Sequence, residues 1–483
     1  MTTEYDVVEY PHRPFSQTHP DRLAVMGRMF GMQPAYPNKC RVLEMGCGSG
    51  GNLVPLADLF PESFYWGVDL APTAIEQGRA RINALGLSNI RLDAMDVMEF
   101  PDDAGEFDFI LAHGLFSWVP EPVRMKILAI CQRHLAPQGV AYISYNAYPG
   151  CHIRQMWRDM MLFHTRQFVK PADKIQQGKG IMQLVAHGTM REDAGHQLAK
   201  EDFQKMVEKP DSALYHDEMG TFWQPFYFHE FTTLAGQNGL QYLAESTYSD
   251  MQPTGLTPQA AQALDAVSKA GVVLYEQYLD FFKMRKFRQT LLCRSDLALH
   301  RPVDTACLEQ FHFSGPIQIV PNADADAPPG AVSFQNGINS VTVTTNNPVT
   351  IPAISALADA WPCSLSFDEL AALCDGNRAM LREVLHAFYT SQFLNVHSIA
   401  RKFANRVSDK PEAWRIARHE ATLDTAIPHF HHGSIELEDQ HVRKLVTLLD
   451  GTRTHQDLES AMQGNVDLQP TLLKMARAAI LVA

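Results

Sequence analysis

Between Arg41 and Gly51 the chain reads RVLEMGCGSGG, so four glycines, at 46, 48, 50 and 51, crowd one turn. A short apolar run (Val42, Leu43) leads into Glu44 ahead of them, and a helical apolar pattern follows Asn52 with Leu53, Leu56, Ala57 and Leu59. Strand, glycine turn and helix form the opening unit of a nucleotide-binding α/β sheet. Glycines there reach positive φ and let a ligand approach the backbone. Two further acids stand where such sheets do chemistry. Asp69 ends an apolar run 19 residues beyond Gly50, the interval at which a carboxylate reaches ribose hydroxyls. Asp96 ends a third such run, where it can accept from an adenine amino group. Glu44 would repel a pyrophosphate and can instead orient a positively charged group.

A second set of residues falls at the ends of the fourth and fifth expected strands: His113, Trp118, Tyr145, Asn146 and Tyr148. Aromatic faces hold ammonium groups by cation–π attraction worth about 0.5–2 kcal/mol. Tyr145 can accept a proton or orient a lone pair, and His113 can act as a base because imidazole titrates near neutrality. The alternatives stay open: Trp118 and Tyr148 can pack a core, and His113 can be a satisfied structural histidine.

Apolar runs at 42–43, 64–68, 89–96, 107–112 and 140–144 alternate with helical patterns, which predicts a parallel, doubly wound sheet. Runs at 241–246 and 287–294 read as its sixth and seventh strands. The segments of about 150–220 and 250–285 are then helical insertions, a lid over the C-terminal strand ends where ligands bind in open α/β sheets. Ahead of the sheet, the proline-rich stretch 9–20 predicts an extended arm that folds over a ligand, and Asp21 predicts the cap of a helix to Met29.

Length and charge bound the reading further. At 483 residues the chain exceeds one ordinary core, and two or three domains are expected. A net charge of −13 argues against nucleic acid as a bulk partner. Eight scattered cysteines with no C-x-x-C spacing fit reduced thiols and a cytoplasmic location. No signal-peptide h-region and no apolar run of roughly 20 residues occurs, so no membrane insertion is expected.

The E-x-G-C-G-x-G turn, with acids at 69 and 96, resembles the class I S-adenosylmethionine-dependent methyltransferases over residues 38–146. A narrower resemblance lies in the stretches 113–120, 142–150 and 226–230 and in the arm at 15–20. They are similar to bacterial methyltransferases that carry a methyltransferase regulatory domain, some of which are protein-lysine methyltransferases. The resemblance implies a seven-stranded Rossmann-like sheet whose last strand runs antiparallel. It also implies S-adenosylmethionine as cofactor and methyl transfer to a nucleophile. The cofactor set is then Glu44, Gly46, Cys47, Gly48, Gly50, Asn52, Asp69, Leu70, Asp96, Val97 and His113, with His19 from the arm. The catalytic set is Tyr145, Asn146, His113 and Trp118. An N-P-P-Y sequence, used for amide-nitrogen targets, is absent after the fourth strand, which lowers the case for glutamine, adenine or cytosine. A nitrogen such as a protein lysine is the leading acceptor. A small-molecule O- or N-acceptor, or a non-catalytic cofactor-binding regulator, are the alternatives.

Three segments are expected: an arm and helix over 1–37, a methyltransferase domain over 38–297, and a C-terminal domain over 298–483 for substrate or partner. A loop at 322–330 precedes short strands and a helix–turn–helix–strand order over 354–396, which suggests a winged-helix-like unit. Its second helix has only Arg378 and Arg382 against Glu383, which does not suit DNA reading. A small helical bundle is expected over 441–483. His429, His431 and His432 lack spaced partners and are expected on a surface loop, with no metal.

Overall fold

The structure, a computed structural model, describes residues 13–188, 190, 193–322 and 327–482. The first twelve residues of the expected arm region, part of the loop at 322–330, and the last residue lie outside the described residues.

Seven strands form the central sheet: β1 (Arg41–Met45), β2 (Phe64–Asp69), β3 (Ile90–Ala94), β4 (Phe107–Ala112), β5 (Leu135–Asn146), β6 (Leu240–Glu245) and β7 (Phe287–Arg294). Their order is β3-β2-β1-β4-β5-β7-β6. The first five run parallel, and β7 is antiparallel to both β5 and β6. This is the Rossmann-like sheet expected, with its last strand reversed. Parallel strands buried on both faces read as continuous apolar runs, and β1 and β4 are buried along almost their whole length. The glycine in β2 has a packing cause: a Cβ on Gly67 would stand 2.6 Å from Leu92 Cδ2 and 2.7 Å from Cys47 Sγ.

The two insertions do different things. Helices Cys151–Thr165, Pro171–His187, Ala194–Val207 and Asp211–Met219 pack on their own apolar core of Trp157, Met161, Met182, Phe203, Met206 and Leu214. They stand over the C-terminal ends of β4 and β5, as a lid does. The second insertion, helices Pro258–Ser268 and Val272–Lys283, contributes no residue to the cavity below, contrary to expectation. It closes over the sheet edge instead. There Arg288 of β7, fully buried, pairs with Glu245 at 2.5 Å, Asp280 at 2.8 Å and Glu276 at 3.0 Å. Its guanidinium also lies 3.9 Å above the Phe228 ring. Glu276 and Asp280 of the insertion thus share a buried cation with Glu245 of β6.

Beyond the sheet, β8 (His312–Ser314), β12 (Leu365–Ser366) and β13 (Asn395–His397) form one small sheet. Strands β9 (Ile317–Val320), β10 (Val332–Asn336) and β11 (Thr342–Thr345) form another. Helices Thr350–Ala360, Phe367–Ala372 and Arg378–Thr390 lie with them in the order expected. The last segment carries three helices over the range expected for a small bundle, with a hairpin ahead of them. A hairpin of β14 (Ala426–His429) and β15 (Gly433–Glu436) stands between helix Arg415–Glu420 and helices Gln440–Leu448, His455–Met462 and Leu468–Arg477. Short, weakly alternating strands carry little periodic signal, so the hairpin is not legible from pattern alone.

This C-terminal part is not tethered loosely. One continuous apolar cluster runs from Leu23 and Val42 through Tyr142 to Phe313, Leu385 and Ile480. Arg415 pairs with Asp58 and donates to Leu85 O at 3.0 Å, and Arg81 pairs with Glu420 at 2.8 Å. Helix Pro20–Met29 is held at the same seam. Asp21 does not cap it; His19 does, accepting from the Asp21 N–H at 3.0 Å. The Asp21 carboxylate instead accepts from Ser398 N and Oγ, His397 Nδ1 and Arg401 Nη2, at 2.6–3.0 Å.

Candidate active site

A cavity of about 1080 Å³ opens at the C-terminal ends of β1, β2, β3, β4 and β5. One half is built from the first three strands and the glycine turn. Glu44, Gly46, Cys47, Gly48, Asn52, Asp69, Leu70, Asp96, Val97 and His113 all line it, so ten of the expected cofactor residues come together. Gly48 donates its N–H to Asp69 Oδ2 at 2.7 Å, and Ala71 donates to Asp69 Oδ1 at 2.8 Å. Asp96 caps the turn after β3 through a bond from Met98 N at 2.9 Å.

Gly50 and His19 do not line this cavity. Gly50 sits behind the turn at φ +71°, where a Cβ would meet Leu92 Cδ1 at 2.9 Å. It shapes the turn and does not face the space. His19 is buried at the seam with the C-terminal part, beside Arg401 at 3.2 Å. Burial and the Arg401 charge hold its pKa well below the ordinary value, so it is neutral.

Glu44 is 3% exposed, and its Oε1 accepts from Asn52 Nδ2 at 2.9 Å. Its Oε2 is buried with no hydrogen-bond partner. A buried carboxylate with one empty oxygen is costly unless something cationic meets it. Burial pushes its pKa up to about 8, the Asn52 bond opposes the rise, and the Asp69 charge adds to it. The orphaned oxygen, in the half of the cavity that Asp69 and Asp96 also line, fits a cationic, phosphate-free nucleoside such as S-adenosylmethionine.

The other half of the cavity joins strand ends to the lid. Arg154 of the lid donates from Nη1 to Asn146 Oδ1 at 3.0 Å, from Nε to Glu218 Oε2 at 2.9 Å, and from Nη2 to Asp217 O at 2.7 Å. Its guanidinium lies 5.5 Å from the rings of both Trp118 and Trp223. Lys209 meets Glu218 Oε1 at 2.9 Å from the other side. Asn146 and Trp118 line this half, as expected of them.

Tyr145 does not line the cavity. It is 1% exposed, stacks on Phe231 at 4.2 Å, and its hydroxyl meets Thr290 Oγ1 at 3.3 Å. Neighbouring strand residues point to opposite faces, so Asn146 and Tyr145 cannot both face one space. His113 lines the cavity but is unsuited to the base role. Burial pulls its pKa down to about 4, far from the near-neutral value a general base needs. Its Nδ1 meets Tyr142 Oη at 3.0 Å and Ser144 Oγ at 3.1 Å. Tyr148 stacks on His152 at 4.2 Å, outside the lining.

Sequence reading missed several lining residues. Phe15 and Arg13 come from the arm, Arg154, Lys209 and Glu218 from the lid, and Phe287 from β7. Phe15 lies 4.2 Å from the His113 ring and its N–H donates to Asn52 Oδ1 at 3.0 Å, so the arm does close one wall. The histidine run is also not a surface loop. His432 is 2% exposed and its Nε2 lies 2.8 Å from Asn52 Oδ1, while His431 stacks on Trp361 at 4.6 Å.

Comparisons with known proteins agree with this geometry. A methyltransferase domain model matches residues 42–139, a predicted methyltransferase regulatory domain matches 210–294, and the C-terminal winged helix domain of PKMT matches 409–480. The winged helix therefore falls on the hairpin and its helices, C-terminal to the 354–396 unit suggested by sequence. An uncharacterised protein of Rickettsia prowazekii is 36% identical over 310 residues, 64% of this chain and 56% of that protein. The chain thus spans little more than half of that relative. A second protein of the same organism is 34% identical over 240 residues, 50% of this chain and 96% of its own length. Among solved structures, PKMT2 from Rickettsia typhi in complex with AdoHcy is 25% identical with a TM-score of 0.87, covering 98% of this chain and 100% of that one.

Proposed function

The chain belongs to the class I S-adenosylmethionine-dependent methyltransferases that carry a methyltransferase regulatory domain, and from that premise we propose that its methyl acceptor is a protein lysine in the cytoplasm. The observation that carries this reading is Arg154. The lid half of the cavity already holds an alkylguanidinium between Trp118, Trp223 and the Glu218 carboxylate. An alkylammonium needs the same surroundings: aromatic faces and a buried negative charge. The likeness to PKMT2 over nearly the whole chain, and to the PKMT winged helix domain, supports the same class of acceptor.

When bound, S-adenosylmethionine supplies a methyl group on a positively charged sulfur, which the nitrogen lone pair displaces in line. The chain's own residues do the rest by positioning, which supplies roughly 7–11 kcal/mol in well-oriented systems. In this reading Glu44 meets the cationic end of the cofactor, and Asp69 and Asp96 its ribose and adenine. Gly46, Cys47, Gly48, Asn52, Leu70, Val97 and His113 complete that wall. Asn146 and Trp118 face the acceptor, with Asn146 held by Arg154. His113, neutral, is a wall and not a base, so the acceptor ammonium loses its proton to water before it reacts. The three segments take distinct roles: the arm closes the cofactor half, residues 38–297 hold the cavity, and residues 298–483 meet the acceptor protein.

Incubation of the enzyme with methyl-labelled cofactor and a proteome tests the reading. Label at lysine in protein bands is the expected result. Label confined to the small-molecule fraction would assign a small acceptor. Cofactor binding with no transfer to either would make the chain a regulator.

A further inference from the structure

The hairpin of β14 and β15 reaches from the C-terminal part to Asn52, behind the wall of the cofactor half. At its turn, His432 adopts a left-handed conformation (φ +59°) and is 2% exposed. Its Nε2 lies 2.8 Å from Asn52 Oδ1, 380 residues away in sequence. Asn52 is the residue that holds Glu44, through Nδ2 to Oε1 at 2.9 Å, and leaves Glu44 Oε2 unpartnered beside the cavity.

The direction of these bonds is fixed by one donor. The backbone N–H of Phe15 can only donate, and it meets Asn52 Oδ1 at 3.0 Å. The oxygen of the amide therefore faces the arm, and the NH₂ group faces Glu44. His432 Nε2 meets that same oxygen, so Nε2 carries the ring hydrogen and donates. Burial lowers the His432 pKa to about 3, in keeping with a neutral ring. If the amide turned over, its NH₂ group would face the Phe15 N–H, and Glu44 Oε1 would lose the bond from Nδ2. Phe15 fixes the orientation, and His432 adds a second donor to the same oxygen.

We propose that His432 is a positioning residue for the cofactor: through Asn52 it orients Glu44, so the C-terminal part braces the cofactor pocket from behind as well as serving any acceptor surface. The proposal rests on the cofactor reading of the Glu44 half. It assigns the hairpin a role in cofactor affinity that an acceptor platform would lack.

Calorimetry of S-adenosylmethionine binding to the full chain tests it, with His432→Phe and His432→Gln as the paired variants. Both carry the same left-handed backbone, but only glutamine offers an N–H near the position of Nε2. His432→Phe is expected to weaken binding about tenfold, the loss of one hydrogen bond, and His432→Gln to stay within about threefold of wild type. Equal affinity in wild type and His432→Phe would overturn the proposal, and so would equal losses in both variants. Absence of binding by the wild type would instead sink the cofactor reading itself. On wild-type protein, ¹⁵N correlation spectra of the histidine rings give a check that no folding defect can blur. A ring hydrogen on Nε2 of His432 is expected, and one on Nδ1 would overturn the relay.

Discussion

Gly48 donates its backbone N–H to Asp69 Oδ2 at 2.7 Å, so the glycine turn and the end of β2 are tied to each other within the protein itself. Asp69 binds Ala71 N with its other oxygen, and its place in the cavity is set by two amides at once. Replacing it with alanine removes both bonds and, in the proposed reading, the acceptor for the ribose. Asp69→Ala is expected to weaken S-adenosylmethionine binding by about 2–3 kcal/mol, roughly 30- to 150-fold, in calorimetry. Unchanged affinity would contradict the cofactor assignment of this half.

Glu44 ties cofactor binding to pH. Its carboxyl is raised to about 8 by burial, so below that pH the free protein holds the proton. A cationic ligand favours the ionised form, and binding then releases a proton. The sign follows: affinity rises with pH up to about 8 and levels off above it. Calorimetry in buffers of different ionisation enthalpy reads the released proton directly. Glu44→Gln should lose both the proton release and this part of the pH dependence; a variant that keeps them would place the titration elsewhere.

In the proposed reading Arg154 belongs to the acceptor half of the cavity and not to the cofactor half. Arg154→Met removes its bonds to Asn146 and Glu218 and its contacts with Trp118 and Trp223. It leaves the Glu44 half untouched. A fall in kcat/KM for the acceptor of at least tenfold, with cofactor Kd within about threefold of wild type, is expected from loss of one or more charged hydrogen bonds. An equal change in both would show that the two halves are not separable.

The edge cluster at Arg288 carries stability and not chemistry. Arg288→Met leaves Glu245, Glu276 and Asp280 buried without their shared cation. Breaking a buried charge network in this way costs about 3–5 kcal/mol. Urea denaturation should show that loss, while any folded variant retains its cofactor affinity.

Acid acts at the seam. Burial alone would raise the Asp21 pKa, but the Arg401 charge and the His397 hydrogen bond outweigh it and hold the carboxyl far below its usual value. The stability it contributes is therefore present above pH about 3.8 and is lost as pH falls through the depressed folded value. Asp21→Asn should remove that part of the acid dependence and loosen the C-terminal part, seen as faster hydrogen exchange near 397–401. Unaltered exchange there would show that Asp21 does not hold the seam.

Much of this was legible in the sequence, and the limits have physical causes. The parallel strands announce themselves as apolar runs, and each of the acids at 44, 69 and 96 is fixed by its place at a strand end. That local rule picked out ten residues that the fold brings together around one cavity. It failed at Tyr145 because strand alternation was not applied: with Asn146 facing the cavity, Tyr145 had to face away. Between the two readings open for His113, base or structural histidine, the deciding factor is burial, which is a tertiary property. The arm is expected to fold over a ligand, but the particular contacts of Phe15, and those of Arg154 and His432, are not legible for a related reason. Their contacts are made across the chain, and no local period records which arm, lid helix or hairpin will arrive. The histidine run looked like a surface loop because its partners, Asn52 and Trp361, lie far away in sequence.

The joining of Asp21 to residues 397–401 and of Asn52 to His432 also imposes an order on synthesis. Ribosomes make chain from the N-terminus, at about 5–20 residues per second. The arm, the glycine turn and all seven strands of the sheet are made before residue 300, yet the partner of Asn52 emerges more than a hundred residues later. For many seconds the nascent sheet has its glycine turn and acids but not the hairpin that braces them. Helix Pro20–Met29 likewise waits with Asp21 unpaired and part of its apolar face uncovered. A chain that stops before residue 395 leaves Asp21 without its partners and helix Pro20–Met29 without β13 beside it, so the last fifth of the protein is needed to close the seam.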